Sequence, residues 1–117
     1  MRPGDEVAVY LCREVVDMRK SINGLSILVE EGLSLDPFGP TLFVFCNRKR
    51  DKVKILYWER TGFVLWYKRL EKNRFVWSLP GSDDVVSLSG RELNWLLDGI
   101  DVFAMNPHTE VSFETVL

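Results

Sequence analysis

The chain has 117 residues, of which 46% are hydrophobic and 27% charged, with a formal net charge of −2; this is the make-up of a folded soluble globule, expected to form one domain over 1–117, not of a disordered segment. No apolar run approaches the ~20 residues of a membrane span, and an N-terminus with Asp5 and Glu6 close to Arg2 does not read as a signal peptide. Cys12 and Cys46 both sit inside apolar runs, so buried free thiols are expected instead of a disulfide or a metal site, and the cytoplasm is the expected compartment.

In chain order, Val7 to Cys12 is β-rich and reads as a first strand. Asp17 is placed to cap a helix running to about Glu31, with Met18, Ile22, Leu25 and Val29 as its apolar stripe and Gly32 as its stop. Residues 33–41, with Pro37, Gly39 and Pro40, read as a loop. Four strands are then expected: Thr41–Asn47, Val53–Glu59, Phe63–Leu70 and Arg74–Leu79. Their connections, Arg48–Lys52, Arg60–Gly62 and Glu71–Asn73, have hairpin lengths. Val85–Leu88 reads as a short strand, and Ser89 with Glu92 matches a capping box opening a helix through Leu93, Leu96, Leu97 and Ile100 to about Gly99. Val102 to Met105 reads as a last strand. The expected fold class is α+β, an antiparallel meander of about four to six strands with two helices.

The small net charge hides a segregated distribution. Residues 47–74 carry ten basic side chains against three acidic ones, a net of +7, whereas 1–46 carry −3 and 75–117 carry −6. In a meander, alternate turns lie at the same end of the sheet. Arg48, Lys49, Arg50 and Lys52 in one turn, Lys72 in another, and Lys54, Lys68, Arg69 and Arg74 near the same strand ends are therefore expected to converge on one edge. Such a patch suits a polyanion or an acidic partner. Its structural counterpart is edge protection by solvated lysines. Trp58, Trp66 and Trp77, with Tyr67 and Phe75, alternate with the cations. They suit either base stacking or an interface, although large rings at alternating strand positions are ordinarily core. Arg19 and Lys20 form a secondary basic pair in the first turn of the expected helix, where pairing with Glu14 or Asp17 is the structural alternative to contacting an anion.

Catalytic patterns are missing. His108 is the one histidine, preceded by Pro107 and without an organised partner. There is no zinc-type cluster and no phosphate loop. A metal-dependent nuclease needs converging carboxylates, and nothing selects Asp36, Asp51, Asp83 or Asp101 for that role. No enzyme activity, cofactor or metal is expected.

Several runs resemble one family. Val16-Asp17-Met18-Arg19-Lys20-Ser21-Ile22-Asn23-Gly24-Leu25 is similar to the "DMRKxIxGL" segment of the TnpB accessory proteins of bacterial insertion sequences of the type numbered sixty-six. The likeness continues at Asp36-Pro37-Phe38, at 42–48, at Lys54-Ile55-Leu56-Tyr57-Trp58, at 62–71 and at 92–101, and so spans about residues 9–103. The chain departs from the pattern in its acidic N-terminus, in Ser21 where glycine is common, and in the tail after Met105. The resemblance implies a transposition accessory that works beside a separate transposase, which holds the catalytic acidic residues. The expected function is therefore non-catalytic binding of the DNA backbone through the basic edge. The alternative is a module that docks on the transposase or another accessory protein, or homodimerises, without binding DNA.

Overall fold

The computed structural model describes residues 7–105; Asp5, Glu6, His108 and the rest of the tail after Met105 lie outside the described residues. Strand β2 (Thr41–Cys46) is apolar and buried at every position after Thr41, so it requires cover on both faces and neighbours on both edges. Strand β1 (Ala8–Cys12) lies parallel to it, with Leu11 beside Val44. On its other edge β3 (Lys52–Glu59) runs antiparallel, and β4 (Gly62–Arg69) pairs antiparallel with β3. Strand β5 (Val85–Leu88) pairs antiparallel with β1, giving the order β4-β3-β2-β1-β5. The fold is α+β with mostly antiparallel strands. The meander covers β2, β3 and β4, while β1 and β2 form the parallel pair of a strand–helix–strand crossover.

Each face of the sheet has its own core. On one face, helix α1 (Ile22–Ile27) continues as a π-helical segment (Leu28–Gly32) and sets Leu25 and Val29 against Cys12, Phe43, Phe45 and Leu56. On the other, α2 (Gly90–Leu97) sets Leu93, Leu96 and Leu97 against Val9, Leu11, Val44 and Ile55. Full burial of such a side chain stabilises by about 1.5–3 kcal/mol. The capping box of α2 forms as its spacing predicts: Glu92 N–H donates to Ser89 Oγ, and Ser89 N–H donates to Glu92 Oε1. Gly32 is the last residue of this first helical region, and a Cβ there would stand 2.8 Å from Leu28 Cδ1, so a larger residue would have to displace the end of that side chain.

Three expected elements differ. Asp17 does not cap α1, which begins at Ile22 after an extended Ser21 that makes no side-chain cap bond. Asp17 instead closes its own turn, accepting from Arg19 N–H at 2.8 Å. Val102–Met105 is a short helix, α3, not a strand; its Phe103 and Ala104 N–H groups donate to Asp101 Oδ1, so a local side-chain cap outweighs the β-propensity of four residues. Arg74–Leu79 is not a strand either.

The last difference follows from topology. The chain must travel from β4 on one edge to β5 on the other, and it does so across the strand ends, where no strand lies alongside to complete a ladder. It keeps the alternation of a strand, burying Phe75 and Trp77 in the α2-side core. Its polar anchors are single bonds: Phe75 N–H to Arg50 O at 2.7 Å, Trp77 Nε1–H to Cys12 O at 3.3 Å, and the Arg13 guanidinium to the carbonyls of Leu79, Pro80 and Asp83. Because Phe75 is 1% exposed, Phe75→Ala is expected to lower unfolding free energy by about 3–5 kcal/mol in urea denaturation, while Ser78→Ala on the exposed side of the same segment changes it by less than about 0.5 kcal/mol.

Candidate nucleic-acid interface

The β2–β3 connection is built by Asn47. Its Oδ1 accepts from the N–H groups of Asp51 (3.1 Å) and Lys52 (3.0 Å), and its Nδ2 donates to Asp51 Oδ1 at 2.8 Å. Arg50 N–H donates to Asn47 O at 3.1 Å, and Arg50 takes left-handed backbone with φ 64°. This closed turn holds Arg48, Lys49 and Arg50 in solvent. The exit of β4 is bonded to the same turn: Leu70 N–H donates to Asp51 O at 2.8 Å, and the Phe75 bond to Arg50 O follows. The two basic connections therefore meet at one end of the sheet, and Lys72 and Arg74 are exposed beside the turn.

The cations at this end divide into three groups. Lys52 pairs with Asp51 at 3.3 Å, Arg69 with Glu71 at 2.8 Å, and Arg19 with Asp17 at 2.7 Å. Lys54 and Lys68 point to opposite faces of the sheet and are spent on main-chain carbonyls. Lys54 Nζ donates to Met18 O (2.6 Å) and Lys20 O (2.8 Å), with its ammonium 5.8 Å from the Tyr67 ring centroid. Lys68 Nζ donates to Leu97 O at 2.8 Å, where the C-terminal end of α2 favours a cation. Arg48, Lys49, Arg50, Lys72 and Arg74 form no ion pair among the described residues. Lys20 is exposed near Arg19. Towards β1 and β5 the same end turns acidic, with Glu14, Asp83 and Asp84 exposed.

The tryptophans are not brought together. Trp58 lies near the far end of β3 from the cations, in edge-on contact with Phe38 (5.2 Å between centroids) and Phe63 (5.0 Å). Trp66 pairs with Ile55 in mid-sheet and packs on the α2-side core. Trp77 is 6% exposed and belongs to that core, which removes it as a stacking surface. Among the described residues the exposed rings are Phe38 at 52% and Tyr67 at 48%. Sequence reasoning overlooked Arg13 and Asn47, which organise the crossover and the turn. The five-residue interval from Asn47 to Lys52 was a readable signal for an Asx-type turn, whereas Arg13 left none because its partners lie 66 to 70 residues away.

Cys12 and Cys46 are buried free thiols. Burial pushes both thiols up, Cys46 to about 12. Among the described residues no group of three or more His, Cys, Asp or Glu side chains is placed to hold a metal, and no helix is long and apolar enough to cross a membrane.

The sequence profile of the IS66 Orf2-like proteins matches residues 7–107, nearly the whole chain. The protein belongs to the IS66 Orf2-like family. Two Sinorhizobium fredii proteins are similar to it: y4hO, 35% identical over 99 residues that cover 84% of this chain and 84% of its own, and y4jC, 31% identical over 99 residues that cover 85% and 84%. Both bear the name "uncharacterized protein". No solved structure matches the chain. The IS66 Orf2-like family has an accessory role in insertion-sequence transposition and is not a known catalytic family. The family segment from Asp17 to Lys20 thus forms a turn beside the basic end.

The Arg19 guanidinium bonded to it, together with the Arg19 N–H, pulls the Asp17 carboxyl down to about 2 from an ordinary 3.8. The folded value lies below the unfolded one, so what this clamp contributes is present above about pH 3.8 and disappears as pH falls through about 2. An NMR carboxyl titration is expected to place the Asp17 midpoint near 2 and to return it towards 3.8 in Arg19→Ala.

Proposed function

We propose that this protein is a non-catalytic accessory factor that holds DNA by its phosphate backbone, with Arg48, Lys49, Arg50, Lys72 and Arg74 as the primary contacts. The observation that carries this reading is the pair of main-chain bonds joining the β4 exit to the β2–β3 turn, because they concentrate cations from two connections at one end of an otherwise acidic molecule. A concentrated field holds a polyanion where scattered charge does not. Arg69 joins readily, since an ion pair as exposed as Arg69–Glu71 is worth only about 0–1 kcal/mol and exchanges carboxylate for phosphate at little cost, whereas Lys52 is partly covered beside Asp51. Arg50 stands in left-handed backbone, which disfavours a side-chain-bearing residue by about 1–2 kcal/mol and where glycine is the ordinary choice; Arg60 at the far end of the sheet takes the same conformation. Among the described residues no recognition helix accompanies these cations, which favours positioning on the backbone over base reading.

A second reading, docking on the transposase or self-association, is favoured by the exposed Phe38 packed on Trp58 and Phe63 at the opposite end of the sheet. Retention of the cognate transposase in pull-down, without retention of DNA at any salt, would select it.

With about five phosphates contacted, log affinity is expected to fall against log salt with a slope near −4.5 in gel-shift titrations of duplex DNA. Combined Arg48→Ala, Lys49→Ala and Arg50→Ala should weaken binding to all sequences alike and flatten the slope to about −1.8. Absent or salt-independent binding by the parent protein defeats the reading. Arg50→Gly should raise the melting temperature by relieving the backbone while reducing the slope's magnitude by about 0.9.

A further inference from the structure

The Asp17–Lys20 run, which anchors the family likeness, has no part in the backbone contact above. Its first two residues, with Val15 and Val16 just before them, form one wall of an open groove of about 490 Å³ at the basic end of the sheet, a volume within the roughly 300–1,000 Å³ of small-ligand sites. That wall is apolar, from Val15, Val16 and Met18; the facing wall is cationic, from Arg48, Lys49 and Lys52.

Both walls are held in place. Val16 N–H donates to Cys46 O at 2.9 Å, Lys20 N–H donates to Asp17 O at 3.0 Å, and Lys54 bonds the carbonyls of Met18 and Lys20. Asn47 braces the other side through Asp51 and Lys52. A preformed cleft avoids the ordering cost of building one on binding. Asp17 also lines the groove, but both its oxygens accept from Arg19, so its charge is already compensated.

An apolar wall adds nothing to a contact with phosphate alone, and a cationic wall adds nothing to a purely apolar guest. A nucleotide needs both, one for its flat base and one for its phosphate. In closed duplex the base faces are stacked inside the helix, so only an unpaired nucleotide offers them. Arginine planes are also able to stack on bases, as Arg48 is placed to do.

We propose that this groove receives one unpaired nucleotide, its base against Val15, Val16 and Met18 and its phosphate on Lys49 and Lys52, so that the protein prefers DNA bearing a single-stranded end. The proposal rests on the DNA-binding reading above and adds the form of DNA. The shared chemistry is a base with its phosphate, supplied by a strand end or by a free nucleoside monophosphate.

Two measurements on the full chain test it. By fluorescence anisotropy at fixed salt, a duplex with a short single-stranded overhang should bind the parent protein about tenfold more tightly than the blunt duplex. In Val15→Cys, with a melting temperature matching the parent, a neutral maleimide reads the groove directly, because Cys12 and Cys46 are buried. A single-stranded dodecamer should slow that alkylation about fivefold or more, and hexaglutamate should not. Slowing by millimolar dAMP as well assigns the groove to the free nucleotide; slowing by the dodecamer alone assigns it to a strand end, and both support the proposal. Equal affinity for overhang and blunt duplex, or an alkylation rate untouched by dodecamer and dAMP, overturns it. Equal slowing by hexaglutamate overturns it in favour of an acidic peptide. Steeply salt-dependent binding of blunt duplex without an overhang preference defeats the groove alone. Failure to retain any DNA while dAMP still slows alkylation defeats the backbone reading and leaves the groove.

Discussion

The two main-chain hydrogen bonds that seat the β4 exit on the β2–β3 turn are the constraint on which the basic end depends. They satisfy carbonyls of Arg50 and Asp51 that a turn would otherwise offer to water, and they start the crossover towards β5. The same bonds bring Lys72 and Arg74 beside Arg48, Lys49 and Arg50. Burial of Phe75 and Trp77 immediately afterwards makes the arrangement cooperative with the core, because moving the crossover would expose two large rings.

Charge on this molecule is useful only where the fold leaves it free. Half of the cations in the central basic region serve the structure or lie elsewhere: Lys54 and Lys68 hold carbonyls on opposite faces, Lys52 and Arg69 are paired, and Arg60 sits in the β3–β4 turn at the far end. What remains at the basic end covers β2 to β4, whereas the part of that end over β1 and β5 is acidic. A polyanion meeting this surface would be confined to one half of it.

The groove beside the turn ties together two segments thirty residues apart. The wall from Val15 to Met18 exists because the chain leaving β1 stays beside the end of β2, with Val16 N–H bonded to Cys46 O, before it turns into α1. Lys54, one of the residues counted in the basic patch, is better understood as the pin that holds this wall, since its ammonium replaces lost hydration with two carbonyls and the face of Tyr67.

Much of this was legible in the residues themselves. Alternation in β3 and β4, the apolar run of β2 and the Ser89–Glu92 box report local preferences, and local preferences survive folding when nothing competes with them. The convergence of the two basic turns was also readable, because a meander of short connections admits few arrangements. Tertiary structure decided the rest. Arg74–Leu79 has the pattern of a strand but no partner along its length, since the ladder needs a neighbour and the crossover runs past strand ends. Asp17 has the chemistry of a cap but was claimed by Arg19 two residues on. Sequence by itself determined which residues are charged, apolar or able to turn; only the folded chain decided which cations were consumed by carbonyls and carboxylates, because those partners lie across the sheet and are chosen by distance in space.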